Sequence, residues 1–244
     1  CCRTRRYPSD FRKSKRPENG RLCIRQVRIK MSYREKFTGE LQSLTDEVID
    51  LGVLCYDRLQ GVTNLLSMDD IEPARDLVSG DVEANRREYN INSQAVTLIT
   101  TQAPVATDTR IIISSIKIAY DLERISDNIS NLAEVRKRVK ITNEKLLLRL
   151  RTMEQLASLM LKDVYTAYLD QDTSLCKEVY ERDEDIDSLF VHVTTSDIFE
   201  DSDLFVSGQS QLCAKYLERI GDHVKNIAEH VYFVITGEKI EKID

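Results

Sequence analysis

The chain has 244 residues, a net charge of −6 and no tryptophan, and hydrophobic and charged residues make up 41% and 31% of it. This composition is typical of a globular protein, and no apolar run approaches the ~20 residues that a membrane-spanning helix needs, which indicates a soluble chain. Residues 1–30 carry a charge of +9 and the remainder −15, so the body favours cations or basic protein surfaces as partners over nucleic acid.

The first thirty residues differ from the rest of the chain. They are rich in arginine, contain Pro8, Pro17 and Gly20, and show no helical apolar period. We expect a basic leader, 1–30, that is disordered or not native to the protein that starts at Met31. The other interpretation is a basic arm that binds nucleic acid or a membrane.

The body predicts six helices and no strand, because apolar residues recur at spacings of three and four. Prolines, capping residues and a terminal glycine set the approximate bounds of these helices. The first three are 32–66, 73–101 beginning at Pro73, and the stretch from Pro104 to Val139. The last three are 142–169 beginning at Thr142, 173–201 with a cap at Asp172 or Thr173, and a helix that stops at Gly237. Within these patterns, Cys55, Cys176 and Cys213 are predicted to be buried thiols of a reducing cytoplasm.

One block of thirteen residues occurs twice, 95 residues apart. Residues 122–134 read LERISDNISNLAE and residues 217–229 read LERIGDHVKNIAE, with eight identical positions. A repeat of this kind indicates two copies of one structural unit. We therefore predict an all-α fold of two pseudo-symmetric three-helix bundles, residues 31–139 and 140–244.

Each block carries two carboxylates four residues apart, Glu123 with Asp127 and Glu218 with Asp222. On a helix such a pair lies on one face and repels unless something positive compensates it. The apolar seam of each block places this acidic stripe away from the core, so one interpretation is a solvated face. A solvated face does not require the same acids in both copies, however, which favours a function.

Two further acidic pairs are predicted to approach these stripes. Asp81 and Asn85 precede the first block, and Asp183 and Asp187 precede the second. If neighbouring helices run antiparallel, each repeat gathers four oxygen-bearing side chains, a set that suits a hard cation or iron. The candidate metal ligands are Asp81, Asn85, Glu123 and Asp127 in the first cluster and Asp183, Asp187, Glu218 and Asp222 in the second.

These residues resemble the PhoU family of phosphate-uptake regulators. The resemblance covers most of residues 31–244 and is carried by the motifs D-x-x-x-N from Asp81, Gln-x-Pro-Val-Ala at 102–106, Asp108 with Arg110, and the two LERI-x-D blocks. It implies two three-helix bundles with surface motifs that hold iron or zinc clusters, other divalent cations not being excluded. It also implies a cytoplasmic, non-enzymatic regulator that represses phosphate uptake and phosphate-starvation responses.

The expected partners also follow from the resemblance. They are the ATPase subunit of the high-affinity phosphate ABC transporter and, in many bacteria, a phosphate-sensing histidine kinase. A homodimer is expected as well, with membrane association only through the partners and no nucleic acid bound.

The first cluster departs from the family pattern. Ser126 replaces the glycine that the second block keeps at Gly221, and Asn85 stands where the second repeat has Asp187. The first cluster is therefore less anionic, and we expect the second to bind metal more strongly. His223, beside Asp222, is either an outer partner of the metal-binding carboxylates or an ordinary surface residue.

Two alternatives to a regulator remain open from the sequence. The carboxylate clusters could serve a metal-dependent hydrolase, or the chain could be a helical scaffold with merely solvated stripes. The sequence places no base or nucleophile beside the carboxylates, which favours the regulator over the enzyme. It also contains no glycine-rich phosphate loop, so we expect no ATP binding by this chain.

Overall fold

A computed structural model describes residues 19–102, 104–195 and 203–240, with side chains from residue 34 onward. The chain divides into two compact units, residues 1–39 and 40–244, and both acidic clusters belong to the second unit. The described residues form six long helices and two short ones, and none of these is long and apolar enough to cross a membrane. The helices are α1 (Asn19–Leu59), α2 (Val62–Leu65), α3 (Glu72–Ser79), α4 (Asp81–Gln102), α5 (Ala106–Arg138), α6 (Glu144–Asp170), α7 (Thr173–Thr195) and α8 (Leu204–Thr236).

The all-helical prediction is confirmed, and the apolar seams lie where the repeat placed them. α5 and α8 pack along each other and join the two repeats, while α3 and α4 cover α5 and α6 and α7 cover α8. The buried seam residues are Ile118, Leu122, Ile125, Ile129 and Leu132 on α5, and Leu217, Ile220, Val224, Ile227 and Val231 on α8. The two halves of the core therefore meet along the helices that carry the repeated block.

The first predicted helix is too long at its C-terminal end. α1 ends at Leu59, and Gly61 takes a φ of 74°, a left-handed conformation that glycine adopts without steric cost. The Glu154 side chain of α6 accepts hydrogen bonds from the backbone amides of Gly61 and Thr63, at 2.6 and 2.9 Å. This carboxylate satisfies the amides that open α2 and stabilises the break.

The second predicted helix is split at Gly80 into α3 and α4. Arg58 of α1 donates from Nη2 to the Leu77 carbonyl at 2.9 Å, just before the break. The helix breaks here because glycine is a poor helix former and because the Leu77 carbonyl already accepts a hydrogen bond from outside its helix. The sequence pattern misses this break because the arginine comes from a distant part of the chain.

The remaining boundaries are closer to prediction. Asp172 caps α7 as predicted, accepting from Ser174 N at 2.9 Å, and α8 ends before Gly237, whose φ is 80°. Asn143, and not Thr142, caps α6 by accepting from Leu146 N at 3.2 Å. α7 is described as far as Thr195, and the rest of the predicted fifth helix lies outside the described residues.

Two further predictions concern the leader and the cysteines. Residues 1–18 lie outside the described part of the chain, and α1 begins within the predicted leader. Cys55, Cys176 and Cys213 are buried free thiols, as predicted. Burial raises the pKa of each to about 12, so these thiols stay protonated at neutral pH.

Candidate metal centres of the two repeats

The first acidic cluster forms where α4 begins beside α5. Burial raises the pKa of Asp127, and the neighbouring carboxylate of Asp81 raises it further. The pKa of Glu123 is raised by burial and then by the charge of Asp127. Asn85 donates its amide to Asp81 Oδ2 at 3.0 Å. The structure therefore brings together the predicted residues of the first repeat.

The interpretation of the stripes as solvated faces is wrong at Glu123, which is 7% exposed, whereas Asp222 is exposed. Asp183, which approaches the second stripe from α7, is 1% exposed. The stripes do point away from the α5–α8 seam, but α4 covers the first and α7 covers the second. Buried carboxylates are costly unless they are paired, so each cluster needs a positive partner.

Arginines supply that partner in the first cluster. The Arg58 guanidinium, 7% exposed, lies 3.2 Å from Asp81 Oδ1 and also donates to the hydroxyls of Ser126 and Ser130. On the outer side, Arg124 Nη1 lies 3.0 Å from Asp127 Oδ2 and Nε lies 2.5 Å from Glu123 Oε2. The first cluster therefore forms ion pairs with a buried arginine on one side and with a surface arginine on the other.

The four predicted carboxylates of the second cluster lie near enough to act on one another's charge. Burial raises the pKa of Asp183, with further contributions from Asp187 and Glu218. The pKa of Asp222 is raised by burial first, and then by Glu218, Asp183 and Asp187. Mutual repulsion of this kind requires the four charges to lie close together.

Two lysines lie at the edge of the second cluster. Lys225 Nζ donates to Asp183 Oδ2 at 2.8 Å, and Lys215 Nζ lies 2.6 Å from Glu218 Oε2. Lys215 is an i,i+3 neighbour whose side chain is 47% exposed. A flexible surface ammonium of this kind contributes little to stability and moves away readily.

Among the described residues, two buried oxygens of the second cluster have no hydrogen-bond partner, Glu218 Oε2 and Asp183 Oδ1. Glu218 Oε2 lies 2.6 Å from the Lys215 ammonium, and a Cβ atom added at Gly221 would lie 2.9 Å from Asp183 Oδ1. Only a glycine leaves that space beside the oxygen. In the first repeat, the matching serine hydroxyl of Ser126 donates to Asp81 Oδ1 at 2.7 Å.

The donor set of the second cluster fits a cation better than that of the first. In the second, Asp183 Oδ1 accepts no hydrogen bond and has three neighbouring carboxylates, which is the chemistry that hard cations and iron prefer. In the first, Glu123 Oε2 also accepts no hydrogen bond, but it lies 2.5 Å from Arg124 Nε. In the first, hydrogen-bond donors already hold Asp81. Among the described residues, no three His, Cys, Asp or Glu side chains stand in a metal-binding arrangement, so coordination requires side-chain rotation.

Sequence reasoning missed the partner of His223. Its Nδ1 lies 2.9 Å from Asp121 Oδ1, and His230 Nε2 lies 3.5 Å from Asp121 Oδ2. His223 thus bonds a buried carboxylate of α5 across the repeat interface, and neither interpretation given above describes that. The seven-residue spacing of the two histidines was the one available signal, since it places both on one helix face.

Comparisons with known proteins agree with this architecture. The family model of the PhoU domain matches the chain twice, at residues 48–135 and 150–231. A phosphate-specific transport system accessory protein PhoU homolog from Rhizobium meliloti (strain 1021) is 33% identical over 210 residues, which cover 82% of this chain and 87% of that protein.

Two crystal structures share the fold. PhoU from Pseudomonas aeruginosa superposes with a TM-score of 0.77 at 26% identity, covering 83% of this chain and all of that one. The phosphate transport system regulatory protein PhoU from Streptococcus pneumoniae gives 0.76 at 25% identity, covering 84% and 100%. These names describe accessory and regulatory proteins. They agree with a non-enzymatic chain and give no support to the alternative of a metal-dependent hydrolase. With two matched domains, a repeated acidic motif and a shared fold, the chain belongs to the PhoU family.

Proposed function

We propose that this chain regulates phosphate uptake by binding the ATPase subunit of a phosphate ABC transporter, and so represses uptake when phosphate is abundant. The observation that carries the proposal is the family match over both repeats, together with relatives named for the phosphate-specific transport system. A phosphate-sensing histidine kinase is a further proposed partner. A homodimer and a cytoplasmic location belong to the same proposal.

The second acidic cluster is the proposed metal site. Asp183, Asp187, Glu218 and Asp222 would hold iron, zinc or another divalent cation, with Asp183 Oδ1 as the inner ligand. A bound cation would neutralise carboxylates that now repel one another. It would also change the charge that the α7–α8 face offers to a basic or acidic partner surface.

The regulatory part is tested in cells and with purified components. Deleting the gene should raise phosphate uptake in rich medium, and the purified chain should retain the transporter ATPase more strongly when phosphate is present. If uptake and starvation-gene expression in the deletion strain match the parent at both high and low phosphate, the proposal is wrong.

The proposed metal site of the second cluster is tested with variants of its own. Replacing Glu218 and Asp222 together with alanine should lower bound metal and leave the helical content unchanged. The matched control replaces Glu184 and Asp185, two exposed acids of α7, and should leave bound metal as it is. Equal metal content in both double variants would contradict the assignment of the site.

A further inference from the structure

The two acidic clusters occupy equivalent places but have different surroundings. Ser126 and Gly221 correspond within the repeated block, 95 residues apart, and the two matches of the family model place Asp81 against Asp183, 102 residues apart. The inner carboxylate oxygen, Oδ1, accepts from Ser126 and Arg58 in the first repeat. Among the described residues, the corresponding oxygen of Asp183 has no hydrogen-bond partner. The two clusters therefore differ at this inner oxygen.

Four hydrogen bonds hold the two terminal nitrogens of Arg58, whereas its buried Nε has no hydrogen-bond partner among the described residues. Its Nη2 donates to the Leu77 carbonyl and to Ser130 Oγ, each at 2.9 Å, and its Nη1 reaches Asp81 and Ser126. These partners come from α3, α4 and α5, and the side chain is 7% exposed. A guanidinium remains charged even when buried, so this is a fixed positive charge inside the first cluster.

The second repeat has no such arginine at the corresponding place. The family model begins at Val48 in one repeat and at Leu150 in the other. Ten residues further along stand Arg58 on α1 and Met160 on α6, both buried. The second cluster instead meets Lys225, which bonds the other oxygen, Oδ2. Within the part of the chain that the structure describes, the inner oxygen of Asp183 therefore accepts no hydrogen bond from a cationic side chain.

We propose that Arg58 is the built-in counter-cation of the first cluster, and that this cluster binds no metal ion. The part of this inference that assigns metal to the second cluster rests on the proposed function; the part about Arg58 does not. A metal ion at Asp81 and Asp127 would lie within a few ångströms of the guanidinium, and like charges at that distance repel strongly when partly buried. Ser126 reinforces the exclusion, because its hydroxyl already bonds the oxygen that a metal would need.

The test replaces Arg58 with methionine, the residue at position 160, in the full chain. Metal-free Arg58→Met should melt at a lower temperature than wild type, because Asp81 and Asp127 lose their buried partner. Mn²⁺ should restore part of the loss and bind in addition to the wild-type amount, measured by calorimetry and elemental analysis. The matched control is Arg86→Met, which removes an exposed arginine of α4 and should change neither quantity.

A second variant keeps the proposal testable if Arg58→Met fails to fold. Asp81→Asn in the wild-type background should change bound Mn²⁺ by less than about twofold, since the first cluster is not a metal site and distant sites behave independently. Loss of metal in Asp81→Asn, or an Arg58→Met protein as stable as Arg86→Met, would overturn the proposal. If wild type binds no metal while Arg58→Met is destabilised, the proposed metal function fails but the role of Arg58 is supported.

Discussion

Glu154 is the buried group whose removal has the most readily calculated effect. It lies on α6, in the second repeat, with 6% of its surface exposed. Its two oxygens accept from the amides of Gly61 and Thr63 at 2.6 and 2.9 Å, and from the Thr63 hydroxyl. Glu154 therefore fixes the turn between α1 and α2 against the other repeat.

The cost of Glu154→Ala follows from these contacts. A hydrogen bond to a charged group contributes about 1.5–3 kcal/mol, and a stranded buried donor costs about 1–3 kcal/mol. Because one side chain makes all three bonds, their losses are not additive, and we expect about 3–5 kcal/mol in total, the range for breaking a buried charged network. Glu154→Gln keeps one acceptor oxygen but turns an NH₂ group toward amide donors, so about half of that loss is expected.

Urea unfolding of both variants, followed by far-ultraviolet circular dichroism, measures these losses. The matched control is Glu144→Gln at the exposed N-terminus of α6, which should lie within about 0.5 kcal/mol of wild type, as surface substitutions do. A Glu154→Ala protein within about 1 kcal/mol of wild type would refute the assignment of the turn to this carboxylate.

Three further predictions concern the clusters and the repeat interface. Asp121→Asn should lower the free energy of unfolding by about 1.5–3 kcal/mol, because the charged acceptor of His223 is lost; urea denaturation checks this against Asp185→Asn. Stability should also depend on the protonation of Asp121. Burial raises the pKa of Asp121, but its hydrogen bonds from His223 and His230 outweigh burial, and the net effect is a lowered pKa. The stability that Asp121 contributes is therefore lost only as pH falls through that lowered pKa. Folding raises the pKa of four cluster carboxylates, Glu123, Asp127, Asp183 and Asp222. The stability that these groups contribute is therefore fully present below the ordinary carboxyl pKa, and it is lost as pH rises through the raised pKa values. Metal-free protein should therefore gain stability as pH falls from neutral toward those values, and melting temperatures that do not change over that range, or that fall with pH, would contradict this. Gly221→Ser should weaken cation binding, because its Cβ would lie 2.9 Å from Asp183 Oδ1; titration with Mn²⁺ measures the loss, and unchanged affinity would contradict the geometry.

Local periodicity was enough to predict the apolar seams and most of the helical segments, but not the breaks after Leu59 and at Gly80. The two LERI-x-D blocks repeat apolar residues at spacings of three and four, and these residues are buried on α5 and α8. The acidic pairs at spacing four also converge, because a helix face is a local property of the sequence. These features needed no knowledge of which helices pack together.

The missed features all depend on contacts between distant parts of the chain. Arg58 meets Ser126 across 68 positions, and Glu154 meets Thr63 across 91. Within its own helix, Arg58 is simply a charged residue near the C-terminal end, where arginine is favourable in any case. The partner of His223 was missed for the same reason, since Asp121 lies on the other repeat.

Anomalous X-ray diffraction from crystals soaked in Mn²⁺ tests the central claim most directly. The claim is that both repeats carry the same acidic motif, whose carboxylates the Arg58 guanidinium neutralises in the first repeat and a bound metal cation neutralises in the second. An anomalous peak beside Asp183, Glu218 and Asp222, with none beside Asp81 and Asp127, is the predicted result. Peaks of similar height in both clusters, or a peak at the first cluster alone, would contradict the account.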